Sequence, residues 1–313
     1  MSIQNEPLLT SIYEEHSDFC PVDGSIYLAL DGIEERSGHF TELRRAASNV
    51  FYFDVVREGK SDLDIQIPDE PSPTTFRLRS RKQLNNIWER AENKIVYLDI
   101  TGLRHHIWIP LLRSAVTLGL EVRVIYVEPN KYTPSPNPTE GQMYDLSERI
   151  EGIAPIPGCA TFARTGDDFL FLPLLGFEGT RVAYLIEKIQ PIDDKIIPIV
   201  GVPGFRPEHP FSTYLGNRIA LQESNAWQRV KFADANCPFS LYYLLEEIRT
   251  VNSDAYFKIA VVGTKPHALG AVLYTLQYPD KSELIYDHPI RKSERTSGIG
   301  KLLEYDISGF RNG

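Results

Sequence analysis

Four short segments of this chain set a glycine close to a cation directly after an apolar run: Gly32 with Arg36, Gly102 with Arg104, Gly176 with Arg181, and Gly263 with Lys265. Those residue types in that order suit an anion. A bare backbone lets a ligand approach, the start of a following helix points N–H groups at it, and the side chain adds a charge-assisted hydrogen bond. Thr101 precedes Gly102, and Thr264 stands between Gly263 and Lys265, so Gly263-Thr264-Lys265 has the most anion-binding character of the four. The phosphate loop GxxxxGK[ST] is absent, as is the dinucleotide fingerprint GxGxxG, so neither P-loop nucleotide hydrolysis nor a standard dinucleotide site is indicated. For any single loop the alternative is a plain strand-to-helix turn whose arginine pairs with a nearby carboxylate. Four together, expected to converge between two pseudo-repeats of the chain, favour a nucleotide or other phosphorylated ligand.

The same loops hold acid–base candidates. Glu34, Glu35 and Glu178 follow the glycines, while His106 and His267 occupy matching positions in the other two loops, so a hydrolase acting on a phosphoester or an N-glycosidic bond is the alternative to a binding protein. His105, His106, Asp31 and Asp99 add metal-ligating types, but no spacing forces a metal site. No cofactor is therefore expected, a divalent ion entering only with the hydrolase alternative. Nucleophile signals are weak, since GxSxG is absent and Cys237 has no local histidine. The run Arg291-Lys292-Ser293-Glu294-Arg295 before Gly298 and Gly300 reads either as a basic flap over a phosphate or as a solvated hairpin turn.

Each loop requires a strand before it and a helix after it. The strands read Ser25–Asp31, Ile95–Ile100, Phe169–Leu175 and Phe257–Val262, and the helices about Phe40–Ala47, Trp108–Leu118, Arg181–Ile189 and Ala268–Leu276. Strands that are apolar almost without alternation are buried on both faces, as in parallel sheets covered by helices. The fold class is α/β: two fused Rossmann-like halves, with mostly parallel sheets and helices on both faces. Pro173 and Pro198 predict an edge or a bulge for their strands. Three prolines in Asn130–Thr139 predict an irregular surface loop.

Comparison of the four units predicts an internal duplication. Gly32-Ile33-Glu34 answers Gly176-Phe177-Glu178. Gly102 with Arg104 and His106 answers Gly263 with Lys265 and His267, Ile125-Tyr126 answers Ile285-Tyr286, and Thr139-Glu140-Gly141 with Tyr144 answers Thr296-Ser297-Gly298 with Tyr305. The predicted halves are 1–155 and 156–313.

Composition bounds the partners. Lys and Arg total 33 against 42 Asp and Glu, a formal charge of −9, so nucleic acid is an expected partner only through a local basic cleft. The three cysteines lack metal or disulfide spacing, no apolar run spans a membrane, and the N-terminus lacks the regions of a signal peptide, which together predict a cytoplasmic protein.

Ala260-Val261-Val262-Gly263-Thr264-Lys265-Pro266-His267 resembles the strand–Gly-Thr-Lys–helix motif of CARF domains, Rossmann-like sensors of cyclic oligonucleotides in prokaryotic antiviral defence. Asp99-Ile100-Thr101-Gly102 is similar to the other part of that pattern, here divided between two loops. Two such halves in one chain resemble the plan of SAVED domains. The resemblance covers about 40 residues in two stretches. It implies a nucleotide pocket lined by Thr101, Gly102, Arg104, Gly263, Thr264, Lys265 and His267. With nearly the whole chain used by the repeat, it also implies a sensor that works beside a protein partner subunit.

Overall fold

The computed structural model describes residues 9–139, 142–159 and 169–312. Glu140 and Gly141 of the repeated motif lie outside the described residues, as do the first eight residues of the N-terminus. Contacts gather the chain into two units, Met1–Tyr132 with Thr296–Gly313, and Thr133–Arg295. The chain thus passes from the first unit into the second and returns. The expected cut at 155/156 falls inside the second unit, because the last strand pairs with one laid down more than 160 residues earlier. Such long-range pairing leaves no local trace in sequence.

The first unit contains β1 (Thr10–Tyr13), β2 (Ile26–Ala29), α1 (His39–Ala46), β3 (Phe51–Glu58), β4 (Asp62–Gln66) and β5 (Thr74–Arg77). It continues with α2 (Arg81–Ile87), β6 (Ile95–Asp99), α3 (His105–Thr117) and β7 (Glu121–Tyr132), and closes with the chain's final elements, β17 (Thr296–Asp306) and α8 (Ile307–Asn312). Its eight-stranded sheet runs β1-β17-β7-β6-β2-β3-β4-β5. Only the central β7, β6, β2 and β3 are mutually parallel; β17 and β1 on one side and β4 and β5 on the other extend the sheet antiparallel. This sheet is therefore mixed. All four residues of β2 are buried, as two-faced coverage requires. On the α1 face Tyr27 stacks on Phe40 with ring centroids 5.7 Å apart and on Tyr97 at 6.0 Å, an aromatic core that bonds the helix to the sheet.

The second unit starts with β8 (Pro134–Thr139), β9 (Gln142–Tyr144) and β10 (Ser147–Ile150). There follow β11 (Phe169–Leu174), α4 (Gly179–Ile189), β12 (Ile199–Gly201), α5 (His209–Glu223), β13 (Lys231–Ala233), α6 (Pro238–Val251), β14 (Tyr256–Val261), α7 (Lys265–Gln277), β15 (Ser282–Ile285) and β16 (Pro289–Arg291). Its five-stranded sheet, β13-β12-β11-β14-β15, is parallel throughout. The proline-rich segment expected to be irregular forms β8, paired with β9 as a separate two-stranded ribbon; both its strands are edges, where a missing N–H breaks no ladder. Pro173 lies in the central strand, contrary to expectation, paired in register with Ala260. Next to it β11 meets β12 only at Leu174 and Ile199 and through an isolated bridge from Phe171 to Ile196. Thin pairing there accommodates the lost donor.

Candidate ligand-binding site

In both parallel blocks the strand order reverses beside the unit's first parallel strand, between β2 and β6 and between β11 and β14. A crevice opens at such a reversal because successive crossovers leave in opposite directions. The glycines selected from sequence meet there in pairs. A Cβ built on Gly32 would lie 3.5 Å from the Gly102 Cα, and one on Gly176 would lie 3.4 Å from the Gly263 Cα. A methyl on Gly102 would overlap the Leu30 carbonyl oxygen, and one on Gly263 would sit 2.8 Å from that of Leu175. Close backbone approach therefore requires glycine at both reversals.

In the first unit this place is filled by the protein's own groups. Arg36 is buried; its Nε donates to Glu34 at 2.9 Å, and one terminal nitrogen donates to the Tyr126 hydroxyl at 2.9 Å and to the Val127 carbonyl at 3.0 Å. The Thr296 hydroxyl donates to the same Glu34 oxygen at 2.9 Å. Thr101 gives its N–H to Asp99 and accepts the Val127 N–H through its hydroxyl, so it pins the sheet edge. The Gly32 N–H donates to Ser37. Arg104, 40% exposed, lies 3.4 Å from Glu58. Glu35 accepts the Gly298 N–H, which folds the start of β17 over this loop. His105 accepts the Trp108 indole N–H, and His106 Nε2 lies 3.1 Å from the Gly59 carbonyl.

The second unit is more open at its post-crossover loop: Gly263 and Thr264 are partly exposed where Gly102 and Leu103 are buried, while Gly32 and Gly176 are both partly exposed. Arg181 makes a buried two-pronged pair with Asp287, at 2.7 and 2.6 Å. Glu178 accepts the N–H groups of Leu146 and Ser147 and the Ser147 hydroxyl, each at 2.8 Å, tying β10 to the start of α4. The Asn217 amide donates to the Gly176 carbonyl at 2.6 Å and so fixes the glycine loop from α5. Thr264 caps α7, accepting the His267 N–H and donating to the Ala235 carbonyl. Lys265, 6% exposed, opens the helix, and among the described residues it is the one buried lysine. His267 donates from Nε2 to the Asp234 carbonyl at 3.0 Å, and burial pushes its pKa down to about 4. It is a neutral core histidine. At the rim Phe177 stacks on Tyr144, centroids 4.6 Å apart, and meets His209 edge-on at 5.2 Å.

Arg36, Arg104 and Arg181 thus face carboxylates of their own unit. Glu34, Glu178, His106 and His267 likewise hold structural bonds. Among the described residues no group of three or more His, Cys, Asp or Glu side chains is arranged to hold a metal ion, and no helix is long and apolar enough to cross a membrane. Sequence reasoning did not select His39, Asn217, His209 or Asp287, and it read Tyr144 and Phe177 only as residues of the repeated motifs, not of a site. No model of a known protein family matches the chain, and a search of curated proteins gives no significant match.

Proposed function

We propose that this protein binds a nucleotide or other phosphorylated small molecule at the strand-to-helix loops of its second unit, and that the first unit is the scaffold half of a duplicated, Rossmann-like pair. One contrast carries the reading: in the second unit Gly263 and Thr264 are partly exposed and lead into Lys265, whereas the matching Thr101, Gly102 and Leu103 of the first unit are buried and Thr101 is bonded to Asp99 and Val127. The duplication is supported by the shared neighbourhood of first and post-crossover strands, and by the matching glycine contacts. Pro266 has no N–H and the His267 N–H is used by the cap, so an anion here takes its hydrogen bonds from the Gly263 backbone and the Lys265 ammonium. In context the molecule is a CARF-like sensor acting with a partner subunit.

Thermal shift and titration calorimetry with mono-, di- and cyclic nucleotides test the proposal. The expected result is stabilisation by at least one of them that falls at least about tenfold in affinity in Lys265→Ala and is unchanged in Arg104→Ala. A flat panel with wild-type protein removes the reading; binding unaffected by Lys265→Ala removes this site. The hydrolase alternative is not favoured, because Glu34, Glu178, His106 and His267 are committed to bonds that hold the fold.

A further inference from the structure

Exposed large apolar side chains concentrate on one flank of the second unit. The inner face of α5 carries the buried Thr213, Gly216, Asn217, Ala220 and Leu221. The opposite face carries Phe211, Leu215 and Ile219 at i, i+4 and i+8, with Phe211 77% exposed. Trp227, 56% exposed, follows the helix at once. Phe232, 53% exposed, sits on β13, the edge strand of the sheet. Its register partner Val200 belongs to the core shared with Ala220 and Leu221, so Phe232 points to the α5 side of the sheet. The five residues thus lie on one side of one sheet edge.

We infer that this flank is an interface with a second copy of the same chain, formed by antiparallel packing of α5 on α5 across a two-fold axis near Leu215. Taking ~200 Å² for a large apolar side chain, the exposed fractions of these five residues together with Tyr214 amount to on the order of 600 Å². A monomer's largest apolar patch reaches at most about that size. A standard interface buries ~800 Å² per partner, of which a little over half is apolar, so this patch supplies the apolar content that one side needs. The middle of α5 is nearly free of charge, as a self-paired apolar seam requires. Between its ends α5 has only one charged residue, Arg218, with Glu208 just before it and Glu223 at its last position. Antiparallel pairing about Leu215 sets Phe211 against Ile219 of the second copy and confines the acidic Glu208 and Glu223 to the outer ends of the seam.

Sedimentation velocity of the full chain over about 1–100 µM tests the inference, a range that spans ordinary dimer affinities. The expected species has the mass of two chains, and Phe211→Glu and Ile219→Arg each weaken association at least about 100-fold, as hot-spot losses do. Both side chains face outward, so circular dichroism stays as in wild type, as does the melting temperature at a concentration where both are monomeric. A wild-type mass of one chain at the highest concentration overturns the inference and leaves the flank to a different protein. A dimer that persists in both variants overturns it too, by placing the interface elsewhere.

Discussion

His39 Nε2 stands 2.8 Å from an Asp99 carboxylate oxygen, and both side chains are almost wholly buried. The other ring nitrogen lies 2.8 Å from the Arg36 carbonyl, so both nitrogens face acceptors and the ring is an imidazolium. Asp99 also accepts from the Tyr27 hydroxyl and the Thr101 N–H. One carboxylate therefore holds the first turn of α1, the second residue of β2 and the loop before α3. Burial opposes the charge on each partner. Asp99 outweighs it for His39, whose pKa is raised above 6.5, and His39 with Thr101 outweighs it for Asp99, whose pKa is lowered below 3.8.

The pH dependence follows from those directions. The His39 contribution is complete below pH 6.5 and fades as pH rises through its raised pKa; that of Asp99 is complete above pH 3.8 and fades as pH falls through its lowered one. Asp99→Asn is expected to cost the first unit about 3–5 kcal/mol near pH 5, with the gap narrowing in alkaline solution as wild type loses the same pair. Urea unfolding at a series of pH values, read by hydrogen exchange in β2 and β6, measures it. A gap constant from pH 5 to pH 9 would contradict the assignment.

His267 has the opposite sign. Its folded pKa of about 4 lies below the unfolded 6.5, so the unfolded chain binds the proton first and the second unit loses stability as pH falls between those values. The loss approaches about 3 kcal/mol by pH 4. His267→Gln, which can still donate to the Asp234 carbonyl, should flatten the acid limb of hydrogen exchange in β14 and α7. An unaltered slope would mean that another group sets it.

Asp287 is fully buried and is matched by both prongs of Arg181. Replacing it by Asn leaves a buried guanidinium with half its partner, at an expected loss of about 3–5 kcal/mol in the second unit. Arg181→Met combined with Asp287→Leu should recover at least half of that loss in thermal unfolding. A double variant no better than Asp287→Asn would show that the pair is more than a matched charge.

The reversal glycines give a steric test. Gly102→Ala and Gly263→Ala both drive a methyl toward a carbonyl oxygen and should destabilise by about 1–3 kcal/mol, Gly102 more. Gly38 is helical in backbone and its Cβ would meet nothing within 4 Å. Gly38→Ala should stabilise by about 0.4–1 kcal/mol. Chemical unfolding of the three variants separates close approach from a general intolerance of side chains.

The sequence by itself determined the α/β class, the four strand–glycine–helix passages and the loops that meet at the sheet reversals. Strands such as Ile26–Ala29 are apolar on both faces, and α1, α4 and α7 follow their loops within a few residues, so local pattern records them. The tertiary structure alone decided what the charged side chains of those loops touch. Arg36 reaches Val127, Arg181 reaches Asp287, and His39 reaches Asp99, each across 60 or more residues of chain, and no spacing rule connects such partners. α5 escaped notice because it is apolar on both faces and has little periodicity to read. The unit boundary escaped because β17 returns from the far end of the chain to lie beside β7. Hydrogen bonding between strands is indifferent to sequence separation, and a buried charge is compensated by whatever opposite charge it meets in space. Which partner each selected cation meets was therefore settled only when the chain closed on itself.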